Sequence, residues 1–244
     1  MVASIDYDTL SANELEALKT SRGLTLFNNT VCPLAHRALW TATEVQAPLA
    51  RVIEVPIHAA MPASYIANFN RFRSVPCLLD DGVTVYESMI VAQYLDAKFN
   101  GGKLFVADDP AAAALANLVV AQFDIVPSIF AFLRNKDTTK DDELKALVFA
   151  GVAGLERIYQ EDAAAFRSRG PYLLGDRLSQ AEIALVPYLF RFSLILRTYR
   201  RVELLYACPL LAAALDAATQ RPAFQAATRE TDVYLAAGAK IVGL

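Results

Sequence analysis

Histidine and cysteine are scarce in this chain. Its 244 residues hold two histidines, His36 and His58, and three cysteines, Cys32, Cys77 and Cys208. The cysteines lie far apart and form no Cys-x-x-Cys pair, so no metal site is expected. An odd, sparse count also argues against a disulfide framework and suits a reducing compartment. Neither sign of charge dominates: 23 Lys and Arg stand against 26 Asp and Glu, a net charge of −3, and no block of like charge occurs. A nucleic-acid partner and a polybasic membrane patch are therefore not expected. The stretch Met1 to Gly23 lacks the apolar run of a secretory signal. No uninterrupted apolar run reaches the roughly 18 residues of a spanning helix. Ile183 to Ile195 reads as the richest stretch, and Pro187 and Arg191 interrupt it. The expectation is a soluble cytoplasmic protein with no membrane partner.

What is present is material for a core. At 55% hydrophobic and 20% charged, the chain is globular and fits one large or two modest domains. Residues 5–22 read as a leading helix, with Ser11 and Glu14 as a capping box. Leu24 to Phe27 reads as a strand, followed by a helix from Pro33. A second strand runs Leu49 to Ile57, and a short helix lies around Ser64 to Asn68. Ser74 to Leu79 and Thr84 to Tyr86 are strands joined by the tight-turn signal Asp80-Asp81-Gly82. A helix follows from Met89 to Phe99, stopped by Asn100-Gly101-Gly102. This order of elements is that of an α/β thioredoxin-like domain. After the linker only helices are expected, at roughly 110–134, 140–167, 180–199, 208–219 and 222–236, rich in alanine and leucine. The organisation read here is an extension over 1–22, an α/β domain over 23–100, a linker over 101–110 and an all-α domain over 111–244.

The residues that carry chemistry begin at Cys32-Pro33-Leu34-Ala35-His36-Arg37. Proline belongs in a first helical turn, where its missing N–H costs nothing. Cys32 then sits at the helix N-terminus, where free N–H groups and the helix dipole favour a thiolate. The alternative is a buried structural cysteine. Ala35 occupies the place of a resolving cysteine, so Cys32 needs an external thiol. His36, one turn later, either faces Cys32 or lies at a surface or a domain interface, and Arg37 reads as an anchor of the helix. Cys77 and Cys208 read as packing cysteines.

Two further features lie downstream. Val75-Pro76 opens a strand; a cis bond there would turn the Val75 backbone outward for pairing with a peptide-like ligand, whereas a trans bond would be an ordinary strand start. Glu87-Ser88 opens a helix. The helix N-terminus and the serine suit a carboxylate, and Glu87 suits an ammonium; the plain alternative is an N-cap.

Taken together, VCPLAHRALW, NRFRSVPCLLDDGVTVYESMIVAQYLD, KLFVADDP and LLGDRLSQAEIALVPYL resemble the cytosolic glutathione transferase family, cysteine-type, omega-like and related to lambda-type members. The resemblance covers the chain after residue 22. In the last stretch Ser179 and Glu182 form a capping box. The resemblance implies the glutathione transferase architecture, a thioredoxin-like domain followed by a helical one. It implies that Cys32 forms a mixed disulfide with glutathione, the co-substrate. Glutathione would lie against Pro33, Leu34, Val75 and a cis Pro76, with Glu87 and Ser88 holding its γ-glutamyl end. Two departures stand out. Residues 58–62 lack the lysine found in omega-type relatives, and Arg73 replaces a glycine two residues before Val75; Arg71 and Arg73 lie nearby.

The function expected is glutathione-dependent thiol transfer through Cys32: deglutathionylation, dehydroascorbate-type reduction or thioether cleavage. The alternatives are a non-catalytic binding module and a conjugating transferase in which Asn28 or Thr30 activates glutathione. A small hydrophobic or glutathionylated second substrate is expected between the domains, near Asn28, Asn29, Leu34, Phe123, Pro127, Phe130 and Tyr188 or Phe192. A homodimer is expected from the resemblance, with support from Ala111 to Leu133, which is apolar around much of its circumference.

Overall fold

A computed structural model describes residues 3–166 and 169–244. The chain divides into two compact units. The first runs up to Lys103 and is completed by Pro222–Thr228; the second comprises Leu104–Arg221 and Arg229–Leu244.

The first unit contains β1 (Ser4–Asp6), α1 (Ala12–Lys19), β2 (Leu24–Asn28), α2 (Pro33–Glu44), β3 (Leu49–Glu54), α3 (Ala63–Asn68), β4 (Cys77–Asp80), β5 (Val83–Tyr86) and α4 (Ser88–Asn100). The five strands form one mixed sheet in the order β1-β3-β2-β4-β5. β1 and β2 flank β3 in parallel, while β4 runs antiparallel to both β2 and β5. This is the thioredoxin-like α/β fold. β2 is buried at all five positions, as a central strand covered on both faces must be. The hairpin between β4 and β5 turns at Asp81 and Gly82, with φ of 48° and 89°, the left-handed pair that a two-residue hairpin needs. Tyr7, Phe27, Tyr65, Phe69, Val55 and Val75 meet in one core cluster.

Residues 5–22 are not one helix. Ser4–Asp6 joins the sheet as an edge strand, pairing Ile5 with Ile53, and Tyr7 drops into the core at 2% exposure. Only then does α1 begin, with the Ser11–Glu14 capping box intact.

The second unit is all helical: α5 (Pro110–Gln122), α6 (Val126–Arg134), α7 (Asp141–Gln160), α8 (Gln180–Arg200), α9 (Pro209–Thr219) and α11 (Thr231–Val242). Between the last two lies α10 (Pro222–Ala226), which packs on α2 of the first unit. The helix expected over 110–134 is broken at Phe123–Ile125, and Pro127 stands in the first turn of α6, where proline is at home. Residues 110–134 together are apolar enough to span a membrane by length and composition. Split as they are into 13 and 9 residues, neither helix reaches the roughly 20 residues a span needs. The helix expected over 140–167 ends at Gln160, followed by a 3-10 turn over Asp162–Ala165; residue 167 lies outside the described residues. The helix expected over 222–236 is two helices, separated by Ala227–Glu230.

Candidate active site

Cys32 is the N-cap of α2, with Pro33 in the first helical turn. The chain leaves β2 at Asn28 and reaches Cys32 through a short turn in which the Cys32 N–H donates to the Asn29 carbonyl at 3.1 Å. The Cys32 carbonyl accepts the His36 N–H at 3.1 Å and closes the first helical bond. Cys32, Pro33 and Leu34 are all half-buried. The first-turn N–H groups of α2 lack helical partners, and their dipoles favour an anionic sulfur at the N-cap.

The other two thiols are placed differently. Cys77 is fully buried in β4, and desolvation pushes its thiol up to about 12. Cys208 is 5% exposed, and burial, helped by the nearby Glu156 carboxylate, pushes it up to about 11. Both are thiols at neutral pH, and only Cys32 combines partial exposure with a helix N-terminus.

The turn before Cys32 rests on the end of β3. Asn28 Nδ2 donates to Glu54 Oε1 at 2.7 Å, and the Thr30 N–H donates to Glu54 Oε2 at 2.8 Å. Asn29 Nδ2 donates to the Val55 carbonyl at 2.8 Å, and the Val55 N–H returns a bond to the Asn28 carbonyl at 2.8 Å. Asn28 is 2% exposed, and its amide is committed to Glu54. Glu54 was not legible as a site residue in the sequence. Its only signal is the polar run Asn28-Asn29-Thr30, whose donors need an acceptor that the strand order supplies.

The Val75–Pro76 bond is cis. The Val75 side chain is buried in the same cluster against which Cys32 packs. Among the described residues, neither the N–H nor the C=O of Val75 has a hydrogen-bond partner, which leaves both free for a strand-like ligand. Glu87 is exposed and holds φ 67°, ψ 128° at the N-cap of α4, a left-handed conformation that non-glycine residues seldom adopt and that gathers at ligand sites. Its carboxylate makes no capping bond. Ser88 is the first residue of α4 and is 5% exposed; its Oγ accepts from Nη1 of the buried Arg37 at 3.3 Å. Arg37 thus anchors α2, the helix of Cys32, to the start of α4.

His36 is also buried, at 2% exposure. Its ring lies 4.7 Å from that of Phe224 in α10, and Nε2 stands 3.4 Å from Thr228 Oγ1. Phe224 makes an edge contact with Trp40 as well, at 5.0 Å. Arg71 and Arg73 are exposed, with the Arg71 guanidinium over the Phe72 ring. The aromatic residues expected near a second substrate pack together in the helical unit: Phe123 with Tyr188 at 4.9 Å and Phe130 with Phe192 at 5.6 Å.

Residues 31–98 match the family profile of the glutathione S-transferase N-terminal domain, and residues 115–227 match that of the glutathione S-transferase C-terminal domain. The chain belongs to the cytosolic glutathione transferase family. Glutathione S-transferase L3 of Arabidopsis thaliana is 26% identical over 192 residues, 78% of this chain and 76% of that protein. Among solved structures, the Leishmania trimeric glutathione transferase TDR1 is 26% identical with a TM-score of 0.80 over 90% of this chain. The chain spans about half the length of that protein, 49%. Glutathione transferase Omega 3C of Trametes versicolor shares the fold at 23% identity, with a TM-score of 0.72 over 94% of this chain and 95% of its own. As a member of a glutathione-using enzyme family, this transferase carries its cysteine at the N-cap of α2.

Proposed function

We propose that this transferase catalyses glutathione-dependent thiol transfer through Cys32. The observation that carries the reading is the half-buried Cys32 at the N-cap of α2, whereas burial keeps the other two thiols protonated. The Cys32 thiolate attacks the glutathionyl sulfur of a mixed disulfide. The new bond is Cys32 Sγ to glutathione sulfur, and the bond to the substrate sulfur breaks, with the electron pair leaving on the substrate thiolate. A second glutathione thiolate then attacks the same glutathionyl sulfur. Glutathione disulfide leaves and the Cys32 thiolate returns. Ala35 offers no internal thiol to compete with that second step. Deglutathionylation, dehydroascorbate-type reduction and thioether cleavage all fit this cysteine chemistry, and a reducing, cytoplasmic setting supplies the second glutathione. Steady-state transfer from a glutathionylated peptide, measured against free glutathione, tests the reading; ping-pong kinetics are expected.

In this reading the cysteinyl part of glutathione pairs with Val75 beside Pro76, next to Pro33 and Leu34, and its γ-glutamyl end meets Glu87 and Ser88. Glu87→Ala is expected to weaken glutathione binding about tenfold or more, the usual consequence of losing a hydrogen bond to a charged group, with a smaller change in kcat. Calorimetry showing unchanged glutathione affinity would place the γ-glutamyl site elsewhere.

The transferase is also proposed to be a two-fold homodimer. Phe72, Val83 and Ile90 of the first unit are 52%, 54% and 55% exposed, and Leu118 and Leu147 of the second are 37% and 54% exposed. Apolar side chains left this open on both units fit surfaces that a second copy covers. Sedimentation at micromolar concentration is expected to give twice the chain mass; a single species near 26.6 kDa rules the dimer out.

A further inference from the structure

Glu54 sits where a catalytic carboxylate would attract notice, at the C-terminal end of a parallel strand beside the reactive cysteine's turn. Its geometry gives it a different task. Both carboxylate oxygens are occupied by donors from that turn: Oε1 by Asn28 Nδ2 at 2.7 Å, Oε2 by the Thr30 N–H at 2.8 Å. Asn28 and Glu54 are register partners across β2 and β3, so the side chain needs to reach only two residues beyond its own partner, to Thr30. The turn has no regular backbone ladder of its own. Further ties include the Asn29 amide to the Val55 carbonyl, the Val31 N–H to Asn29 Oδ1 at 3.2 Å and the Cys32 N–H to the Asn29 carbonyl.

We propose that Glu54 is the positioning residue for Cys32: its side chain spans Asn28 and Thr30 and fixes the turn that aims the sulfur. This rests on the thiol-transfer reading and adds to it the residue that makes the attack geometry reproducible. The role belongs to the two hydrogen bonds and the length of the side chain, not to its charge. Disulfide exchange needs the attacking sulfur in line with the bond it breaks, and an attack geometry displaced by about 1 Å costs up to about a hundredfold.

Two substitutions separate length from charge. In Glu54→Gln the chain length is kept and the charge removed. The amide oxygen accepts the Thr30 N–H, and the amide nitrogen donates to Asn28 Oδ1 once the Asn28 amide flips. That oxygen is buried and has no partner among the described residues, so the flip breaks no bond of the oxygen, and the amide nitrogen takes its buried place. In Glu54→Asp the charge is kept and the reach shortened by one carbon, so the two bonds cannot both form.

The measurement is the second-order rate of Cys32 mixed-disulfide formation with glutathione disulfide, set against alkylation of Cys32 by iodoacetamide, a small reagent with no docking geometry. Glu54→Asp is expected to slow the disulfide reaction about tenfold or more while alkylation changes less than about threefold. Glu54→Gln is expected to keep both rates within about threefold of the parent. A full disulfide rate in Glu54→Asp overturns the proposal, as does a Glu54→Gln rate as low as that of Glu54→Asp. Equal losses in both reactions overturn it too, since they report the thiol and not its aim. Amide exchange at Thr30 reads the latch without any glutathione chemistry: protection in the parent and Glu54→Gln, and rapid exchange in Glu54→Asp. If the parent forms no glutathione adduct, the thiol-transfer reading falls while the exchange result still decides what Glu54 holds. Equal exchange in all three proteins removes the latch.

Discussion

Replacing Cys32 with serine is expected to reduce thiol-transfer activity to no more than a few per cent of the parent, with the fold unchanged. Cys32 is an N-cap whose side chain makes no capping bond, so no capping bond is lost when oxygen replaces sulfur. Serine is itself a favoured N-cap, and the variant is expected to be as stable as the parent or slightly more so. The chemistry is another matter. A serine hydroxyl stays protonated at neutral pH, and an alcohol forms no disulfide. Cys77 and Cys208 do not substitute, because burial holds both as thiols away from solvent. Substantial activity in Cys32→Ser would assign the nucleophile elsewhere. With sulfur gone from the N-cap, bound glutathione meets the same helix N–H groups, and a weak conjugating activity is expected to emerge.

The second large effect is on stability. Glu182, in the first turn of α8, has no exposed surface. Its carboxylate accepts from the Ser179 N–H at 3.0 Å and Ser179 Oγ at 2.9 Å, closing the capping box. It also accepts from the Leu173 N–H at 2.8 Å and the Tyr159 hydroxyl at 2.8 Å. One side chain therefore ties α7, the loop before α8 and α8 itself. Glu182→Ala leaves those buried donors without an acceptor. A loss of about 3 kcal/mol is expected, because each buried donor left unsatisfied costs about 1–3 kcal/mol. Urea unfolding measures it, and a loss below about 1 kcal/mol would mean that water or neighbouring groups replace the carboxylate. Alkylation of Cys32 in the remaining folded protein should be unaffected, because Glu182 lies in the other unit.

These two residues were visible in the sequence because their signals are local. Cys32-Pro33 after an apolar run marks a helix start, and Ser179 with Glu182 three residues on marks a capping box. Asp81-Gly82 marks a hairpin turn for the same reason. What was missed depends on partners far along the chain. Ser4–Asp6 has only three residues, too few for a periodic pattern, and is a strand because β3 lies beside it. Glu54 ends an ordinary strand pattern and gains its role only when β3 is placed next to β2. Phe224 lies in a five-residue helix some 180 residues from the Trp40 ring it touches, and nothing in the segment announces that contact. The break in 110–134 is a different case. Pro127 and Asp124 were there to be read, but the apolar residues on both sides continue a helical pattern, and propensity alone favoured one long helix.

The central claim is that Cys32 is the residue that exchanges disulfides with glutathione. Mass spectrometry of the intact protein after incubation with glutathione disulfide tests it most directly. The account predicts one glutathione per chain, located by digestion on the peptide that contains Cys32, removed by excess reduced glutathione and absent from Cys32→Ser. No adduct on the folded protein, or an adduct carried by Cys77 or Cys208, would contradict it.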